Sequence, residues 1–554
     1  MKVKKFWIEI LLLIVILLFV GISARGYMES RQEISGEETK NAVISVSGEE
    51  AQAEIEDNLP EDAPVLRVFD KNMDGQAFDD QVAEVIMEKT GVRIELVDAT
   101  DNPNETLEAM LINGSYPDII LMEQGEMVNS FIESEVFIPL DDLIESEGEN
   151  ITEMYGDILD KSRYSDGKLY WLANWYGKDT DASACVLMRK DYLIDLVGEE
   201  RANSNEPFTL TEYTTLLRRF RQLHPTIDNE TVISLDLDSD ADNYEMTLKG
   251  IFGMKTYGLD EDGNLEYLPA TERYKEALSY LNELYRENII CKQWVIDRSE
   301  KWEKDLLSGQ VFSTWGSYWD TDSVNAILKA EYGEDAQFFA YKVVADDLTA
   351  EQTTYNGRNS LGWDAIGITD NCENTRAAMK VLNYLASEEG QYLLLWGPEG
   401  ETWDMVDGKH VPREDFLEQW QADSDQTETE SGVRRWKWVI KNGNGADGTP
   451  YDLTTKYLPS DTVSFANASI DDSDYWDTAE YSGLEPSVKS NLGLKWQKIE
   501  DLYDQYYAQI ICANSAEEAE VLYEKMLSDM EIAGLSECEE YITAQYHKRM
   551  KVWD

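Results

Sequence analysis

The chain has 554 residues, with 48 Lys and Arg against 110 Asp and Glu, a formal net charge of −62. That excess excludes nucleic acid, which needs a basic face, and disfavours polyanions over most of the surface, whereas a neutral ligand meets no repulsion. The length fits two or more domains, and a hydrophobic content of 42% is enough for real cores.

The first segment, from Met1 to about Arg25, places Lys2, Lys4 and Lys5 before an apolar run from Ile10 to Ile22, followed by Ser23 and Ala24. A positive stretch ahead of a short oily one is an export signal. The run falls short of the roughly 20 residues that span a bilayer comfortably, so residues 1–28 read either as a cleaved signal peptide or as a retained N-terminal membrane anchor. No Cys ends the run, so a thioether-linked lipid is not available. Either way the remainder works at the extracellular face of the membrane or as a secreted protein. Residues 29–63 are rich in Glu, Ser, Gly and Ala without an apolar period, which predicts a disordered linker.

The folded part is expected over 64–554. Val65 to Asp70 reads as a strand, Phe78, Val82, Val85 and Ile86 as a helix ending near Gly91, and Val92 to Asp98 as a second strand. A helix over Glu105–Ile112 stops at Asn113 and Gly114, and Ile119 to Met122 forms an apolar strand. This β-α-β-α-β order with buried strands implies parallel pairing and helices on both faces. Apolar stripes predict further helices through Tyr274–Tyr285, Ala377–Leu385 and Ala519–Met526, the first followed by Asn288, a residue suited to a left-handed stop. Gln421 to Gly432 reads as a polar surface loop. The five Cys (185, 291, 372, 512, 538) are dispersed without a CxxC, and His224, His410 and His547 are too scattered for a zinc site, so the thiols read as buried, with one fortuitous bridge at most.

Several segments then resemble the family 1 extracellular solute-binding proteins of ABC importers, in particular the large oligosaccharide-binding branch that includes the alginate-binding proteins. Asn113–Met122 resembles its small loop, Pro-Asp and apolar strand; Ile138–Ile144 its Pro-Leu-x-x-Leu segment; Gly167–Trp175 its Gly-Lys-x-Tyr turn. Met188–Leu196 with Pro207–Tyr213, Gly397–Lys409 and Ala533–Tyr546 resemble later elements in the same order. The missing lipobox Cys departs from most Gram-positive members and puts the mode of anchoring in doubt. The resemblance implies an α/β, two-lobed periplasmic-binding-protein-like (type II) fold with a hinge and an interlobe cleft. Lobe 1 is expected over about 64–180 with a returning segment near 310–370, and lobe 2 over about 181–309 with most of 371–554. It also implies an oligosaccharide ligand, ABC permease transmembrane subunits as partners, membrane association through the N-terminus, a monomer, and no catalysis.

A sugar presents C–H faces and a rim of hydroxyls, which suits aromatic platforms edged by amides and carboxylates. Four clusters among the 16 Trp offer this: Asn174, Trp175 and Tyr176; Trp315, Tyr318 and Trp319; Trp363 and Asp364; Trp403 and Asp404. Glu123 and Gln124 join them because ligand contacts in open α/β sheets fall past strand C-termini. The alternative for each Trp is core packing; Trp171 and Trp396, within apolar runs, read as core, and Trp436 and Trp438 as a solvated strand or helix face. Asp70, Asn72, Asp74 and Gly75 nearly fit a calcium loop, but Gln81 replaces the closing Glu. Asp236, Asp238, Asp240 and Asp242 form a second acidic ladder. An acidic turn is the favoured reading of both, with calcium as the alternative and no other cofactor. A peptide or other non-sugar receptor of the same fold, or a glycoside hydrolase using paired carboxylates, are the competing functions.

Overall fold

The computed structural model describes residues 59–553 except 61, 74–76, 99–101, 179–180, 228, 239–242, 293, 295–298 and 472–473. The expected leader and most of the expected linker lie outside the described residues. Among the described residues no helix is long and apolar enough to cross a membrane.

Strand β1 (Val65–Asp70) passes through helix α1 (Gln81–Thr90) to β2 (Arg93–Leu96), then through α2 (Pro103–Asn113) to β3 (Ile119–Glu123). Asp80 starts α1 by accepting the Ala83 amide at 2.9 Å, and Gly91 stops it at φ 66°. Asn102 caps α2 with Pro103 in its first turn, and Gly114 ends it at φ 63°; both helices stop where glycine relieves the left-handed residue. Both β2 and β3 run parallel to β1. Further strands follow as β4 (Leu172–Ala173), β5 (Cys185–Arg189), β6 (Ile233–Asp236), β7 (Val311–Gly316), β8 (Phe338–Tyr341) and β9 (Asp364–Ile368).

The two largest sheets among the described residues have the orders β2-β1-β3-β9-β4 and β8-β5-β7-β6. The first is mixed, its β2-β1-β3 part parallel and β9 and β4 antiparallel, and it is buried on both faces between helices. Ile119 and Leu121 join one core with Val68 and Ile366, while Ile120 and Met122 face the other with Phe69 and Ala365. A third core wraps the second sheet, and the stripes of helices Glu272–Arg286 and Ala516–Ala533 fall in it. Asn288 takes φ 57°, as its place after the first of these helices predicted.

The lobe boundaries differ from the sequence expectation. Strands β7 and β8 pair with β5, so residues 311–341 belong to the second lobe rather than returning to the first. The helix Thr375–Leu385, the buried Trp436 and Trp438, and Leu453 all pack in the first lobe's core, so most of 371–453 lies there. Only from Val463 does the chain rejoin the second core. The reason is that β9 enters the first sheet antiparallel to β3 and carries the chain as far as Leu453 to that side. Among the described residues the backbone therefore passes between lobes near 177–178 and 181, near 356–360 and near 454–462.

The expected loop at 421–432 is instead the end of one helix (Glu414–Ala422) and all of another (Ser424–Ser431). Asp423 joins them, its side chain accepting the Gln426 amide at 3.0 Å, and Phe416, Thr427 and Ser431 supply a sparse buried face. None of the five Cys is paired in a disulfide; Cys185, Cys372 and Cys538 are buried and Cys291 and Cys512 half-buried.

Candidate ligand-binding cleft

A cleft of about 1100 Å³ lies where the three crossings meet, walled by residues of both lobes. Its first-lobe wall is built on a close approach of two loops. Gly362 has φ +68°, and a Cβ there would sit 1.7 Å from the Asn174 carbonyl oxygen, so only glycine permits the contact. The Asn174 side-chain oxygen accepts the amides of Trp363 at 3.2 Å and Asp364 at 2.7 Å. From the other side Gln124 donates through Nε2 to the carbonyls of Leu361 at 2.8 Å and Asp364 at 3.1 Å. Held between them, Trp363 stays 43% exposed and stacks on Trp175, centroids 5.5 Å apart and planes 28° apart.

Trp175 itself sits at φ 46°, and Arg434, whose guanidinium lies 5.9 Å from that indole, at φ 66°. Left-handed backbone at two bulky residues is costly, and both face the cleft. Arg434 is fixed by Asp452, at 2.8 and 3.0 Å, and by Thr454. Trp420, from the helix Glu414–Ala422, completes this wall.

The second-lobe wall is the turn after β7. The Ser317 amide donates to Asp320 at 2.7 Å, and its hydroxyl donates to the Ser183 carbonyl. This presents Tyr318 and a 43% exposed Trp319, edge to face at 4.9 Å. Asp322, one turn on, also lines the cleft; burial, with Asp320 nearby, pushes its carboxyl up to about 6.

Of the twelve candidate residues, the cleft is lined by Trp175, Tyr318, Trp319 and Trp363. The other eight are placed elsewhere. Asn174 and Gln124 brace the Trp363 turn from behind. Asp364 is buried in an ion pair with Lys71 at 2.7 Å, and Glu123 is exposed at the end of β3. Tyr176 stacks on Tyr155 in the core, centroids 3.6 Å apart. Trp315 lies on the inward side of β7 and donates to the Tyr213 hydroxyl at 3.0 Å. Trp403 is buried against His410, its indole donating to the Gly397 carbonyl, and Asp404 pairs with Arg413 on a separate surface. The Trp after a glycine reads alike in sequence whether its strand points it in or out.

Trp436 and Trp438 are fully buried rather than on a solvated face. They donate to Asp80 at 2.8 Å and Asp70 at 2.7 Å. Arg434 and Lys437, between and before them, turn into the cleft instead. The alternation of cation and indole in 434–438 was the signal that finds them. Asp70 also accepts the Asn72 amide at 2.9 Å, so the first calcium candidate has its carboxylate committed to the fold. Asn72 donates its side chain to Asp364, and Asp74, with Asp240 and Asp242, lies outside the described residues. Among the described residues no three His, Cys, Asp or Glu side chains gather as a metal site.

Residues 70–392 match the model of the bacterial extracellular solute-binding protein family. A carbohydrate ABC transporter substrate-binding protein of Streptococcus pneumoniae is 21% identical over 359 residues, 63% of this chain and 67% of the relative. Among solved structures, an HMO-binding, ABC-transporter-associated solute-binding protein of Bifidobacterium longum infantis superposes with a TM-score of 0.67 at 15% identity, over 88% of this chain and 99% of that one. The S. pneumoniae substrate-binding protein FusA, in complex with kestose, gives 0.62 at 14% identity over the same shares. These likenesses establish the two-lobed fold, and the family match, over more than half of the sequence, makes this chain a member of the bacterial extracellular solute-binding proteins.

Proposed function

We propose that the protein is the carbohydrate-capturing receptor of an ABC importer. An oligosaccharide lies in the interlobe cleft with its apolar faces against Trp175, Trp363 and Trp420 on one side and Tyr318 and Trp319 on the other. Hinge closure traps it, and the closed form persists because ligand contacts both lobes. The loaded receptor hands its cargo to permease transmembrane subunits at the extracellular face, working as a monomer held to the membrane through its N-terminal segment. The names of the S. pneumoniae and B. longum relatives support this reading.

The single observation that carries it is the opposition of exposed indoles from two separate sheets across one cleft. Free in water, such surfaces are costly; flat C–H faces of a sugar ring cover them. A hydrolase is less well supported. Asp181 and Asp452 in the cleft are tied up in ion pairs with Arg358 and Arg434, which leaves Asp322 alone where glycoside hydrolysis needs two working carboxyls.

The test is titration of the purified protein with neutral oligosaccharides and, separately, short peptides, followed by Trp fluorescence and small-angle scattering. A glycan that shifts the emission and shrinks the radius supports the reading. Response to peptides alone, or steady release of cleaved sugar, sinks it.

A further inference from the structure

We propose that Lys437 and Asp322, facing the cleft from opposite lobes, select an uncharged ligand and grip its hydroxyls, with Ser183 as a third partner. This deepens the carbohydrate reading and rests on it.

The argument starts from charge. Arg358, Arg434, Lys437, Asp181, Asp322 and Asp452 line the cleft. Four of them are tied in pairs, Arg358 with Asp181 at 3.5 Å and Arg434 with Asp452 at 2.8 Å, and Asp181 also meets Lys456, outside the lining, at 2.9 Å. Among the described residues neither the Lys437 ammonium nor the Asp322 carboxylate has a hydrogen-bond or ion-pair partner. The lining therefore carries one free cation and one free anion, with no net charge, inside a chain of net charge −62. Ser183 is 8% exposed, and its buried hydroxyl also has no partner, which is costly unless a ligand supplies one.

Donor and acceptor chemistry narrows the ligand. An ammonium only donates, a carboxylate only accepts, and a hydroxyl does both. A ligand carboxylate would satisfy Lys437 but confront Asp322. A ligand ammonium would satisfy Asp322 but confront Lys437. A run of hydroxyls satisfies both free charges and Ser183 without adding charge.

Asp322 also grades capture with pH. Asp320, before its own helix, is the charged group that acts on it directly, and Asp181, Asp452 and Arg434 act together with it on the Tyr318 hydroxyl. Because its carboxyl is pushed up to about 6, acidification turns the charged acceptor into a neutral, weaker one and leaves the lining net positive. Affinity for a neutral sugar then falls as pH drops through that value.

The experiment is an array of neutral and of uronate- or sialic-acid-bearing oligosaccharides probed with the wild-type protein, followed by titration of the best hit between pH 5 and 8. Neutral hits are expected. Asp322→Asn and Lys437→Met are each expected to weaken the best hit by about 10- to 100-fold, the effect of losing a hydrogen bond to a charged group. Asp322→Asn also flattens the pH profile, and unchanged melting temperatures separate these effects from misfolding. Acidic hits, or affinities within about twofold of wild type in both variants, overturn this assignment and leave the carbohydrate reading standing. Binding to no glycan overturns both.

Discussion

Trp438 donates its indole hydrogen to Asp70 at 2.7 Å, across 368 positions of sequence. Trp436 does the same to Asp80 at 2.8 Å. The two aspartates bracket the loop after β1 and the two indoles bracket Lys437, so the strap that brings Lys437 to the cleft hangs from the first sheet. Burial pushes Asp70 up to about 6, whereas the unfolded chain titrates near 3.9. A raised carboxyl stabilises the fold fully below about pH 4, and that contribution is lost as pH rises through about 6, by roughly 3 kcal/mol. Denaturant titrations at pH 4 to 7 are expected to show this fall, and Asp70→Asn to flatten it. An unchanged slope in the variant would remove Asp70 as its source.

Trp363 and Trp403 each follow a glycine-containing turn, yet they sit at 43% and 7% exposure. Trp403→Ala empties a packed site and is expected to cost about 3–5 kcal/mol of stability. Trp363→Ala removes a cleft platform and is expected to cost about 1 kcal/mol or less of stability while weakening glycan binding about tenfold or more. Thermal melts and fluorescence titrations on the two variants check both halves. Equal stability losses would contradict the placement of Trp363.

Much of this arrangement was legible in the sequence. Val65–Asp70 and Ile119–Met122 announced buried parallel strands because apolar runs between helices have few other uses, and Gly91, Gly114 and Asn288 marked helix ends by their tolerance of left-handed backbone. The lobe to which β7 returns is not legible, since its pairing with β5 depends on a partner more than 100 residues away. Of the cleft-lining residues, Trp175, Tyr318, Trp319 and Trp363 are legible as aromatics beside polar neighbours. Trp315 was misjudged because the two-residue period of β7 decides which side faces the core, and a Trp on either side reads alike. Lys437 was missed because its neighbours Trp436 and Trp438 looked like a surface pair; their partners, Asp80 and Asp70, lie over 350 positions away.

Gly362 carries the contact on which the aromatic wall depends. Its Cβ position lies 1.7 Å from the Asn174 carbonyl oxygen, and its φ is +68°. Gly362→Ala therefore combines overpacking with an unfavourable backbone, expected to cost about 2–4 kcal/mol. Because Asn174 and Gln124 hold the Trp363 turn from both sides, the displaced loop is expected to carry Trp363 off Trp175, so affinity falls together with stability. Asn174→Ala, which keeps the glycine but removes the acceptor for the Trp363 and Asp364 amides, is expected to weaken binding in the same direction. Wild-type affinity in both variants would show that the stacked pair does not depend on this brace.

Asp181 ties the three crossings together. It lies on the first, and its carboxylate meets Arg358 of the second at 3.5 Å and Lys456 of the third at 2.9 Å. All three side chains are largely shielded, with side-chain exposures of 14–21%, so the attraction is screened less than at an open surface. Asp181→Asn leaves two cations facing each other at the floor of the cleft. The expected result is repulsion between crossings, a larger radius of gyration for the unliganded protein, and affinity reduced about tenfold as the binding-competent arrangement becomes rarer. Arg358→Gln relieves that repulsion while still breaking a tie, so the double variant is expected to recover part of the lost compactness. Scattering curves of the single and double variants decide it: if Asp181→Asn scatters and binds like the wild type, the hinge is held by packing rather than by this carboxylate.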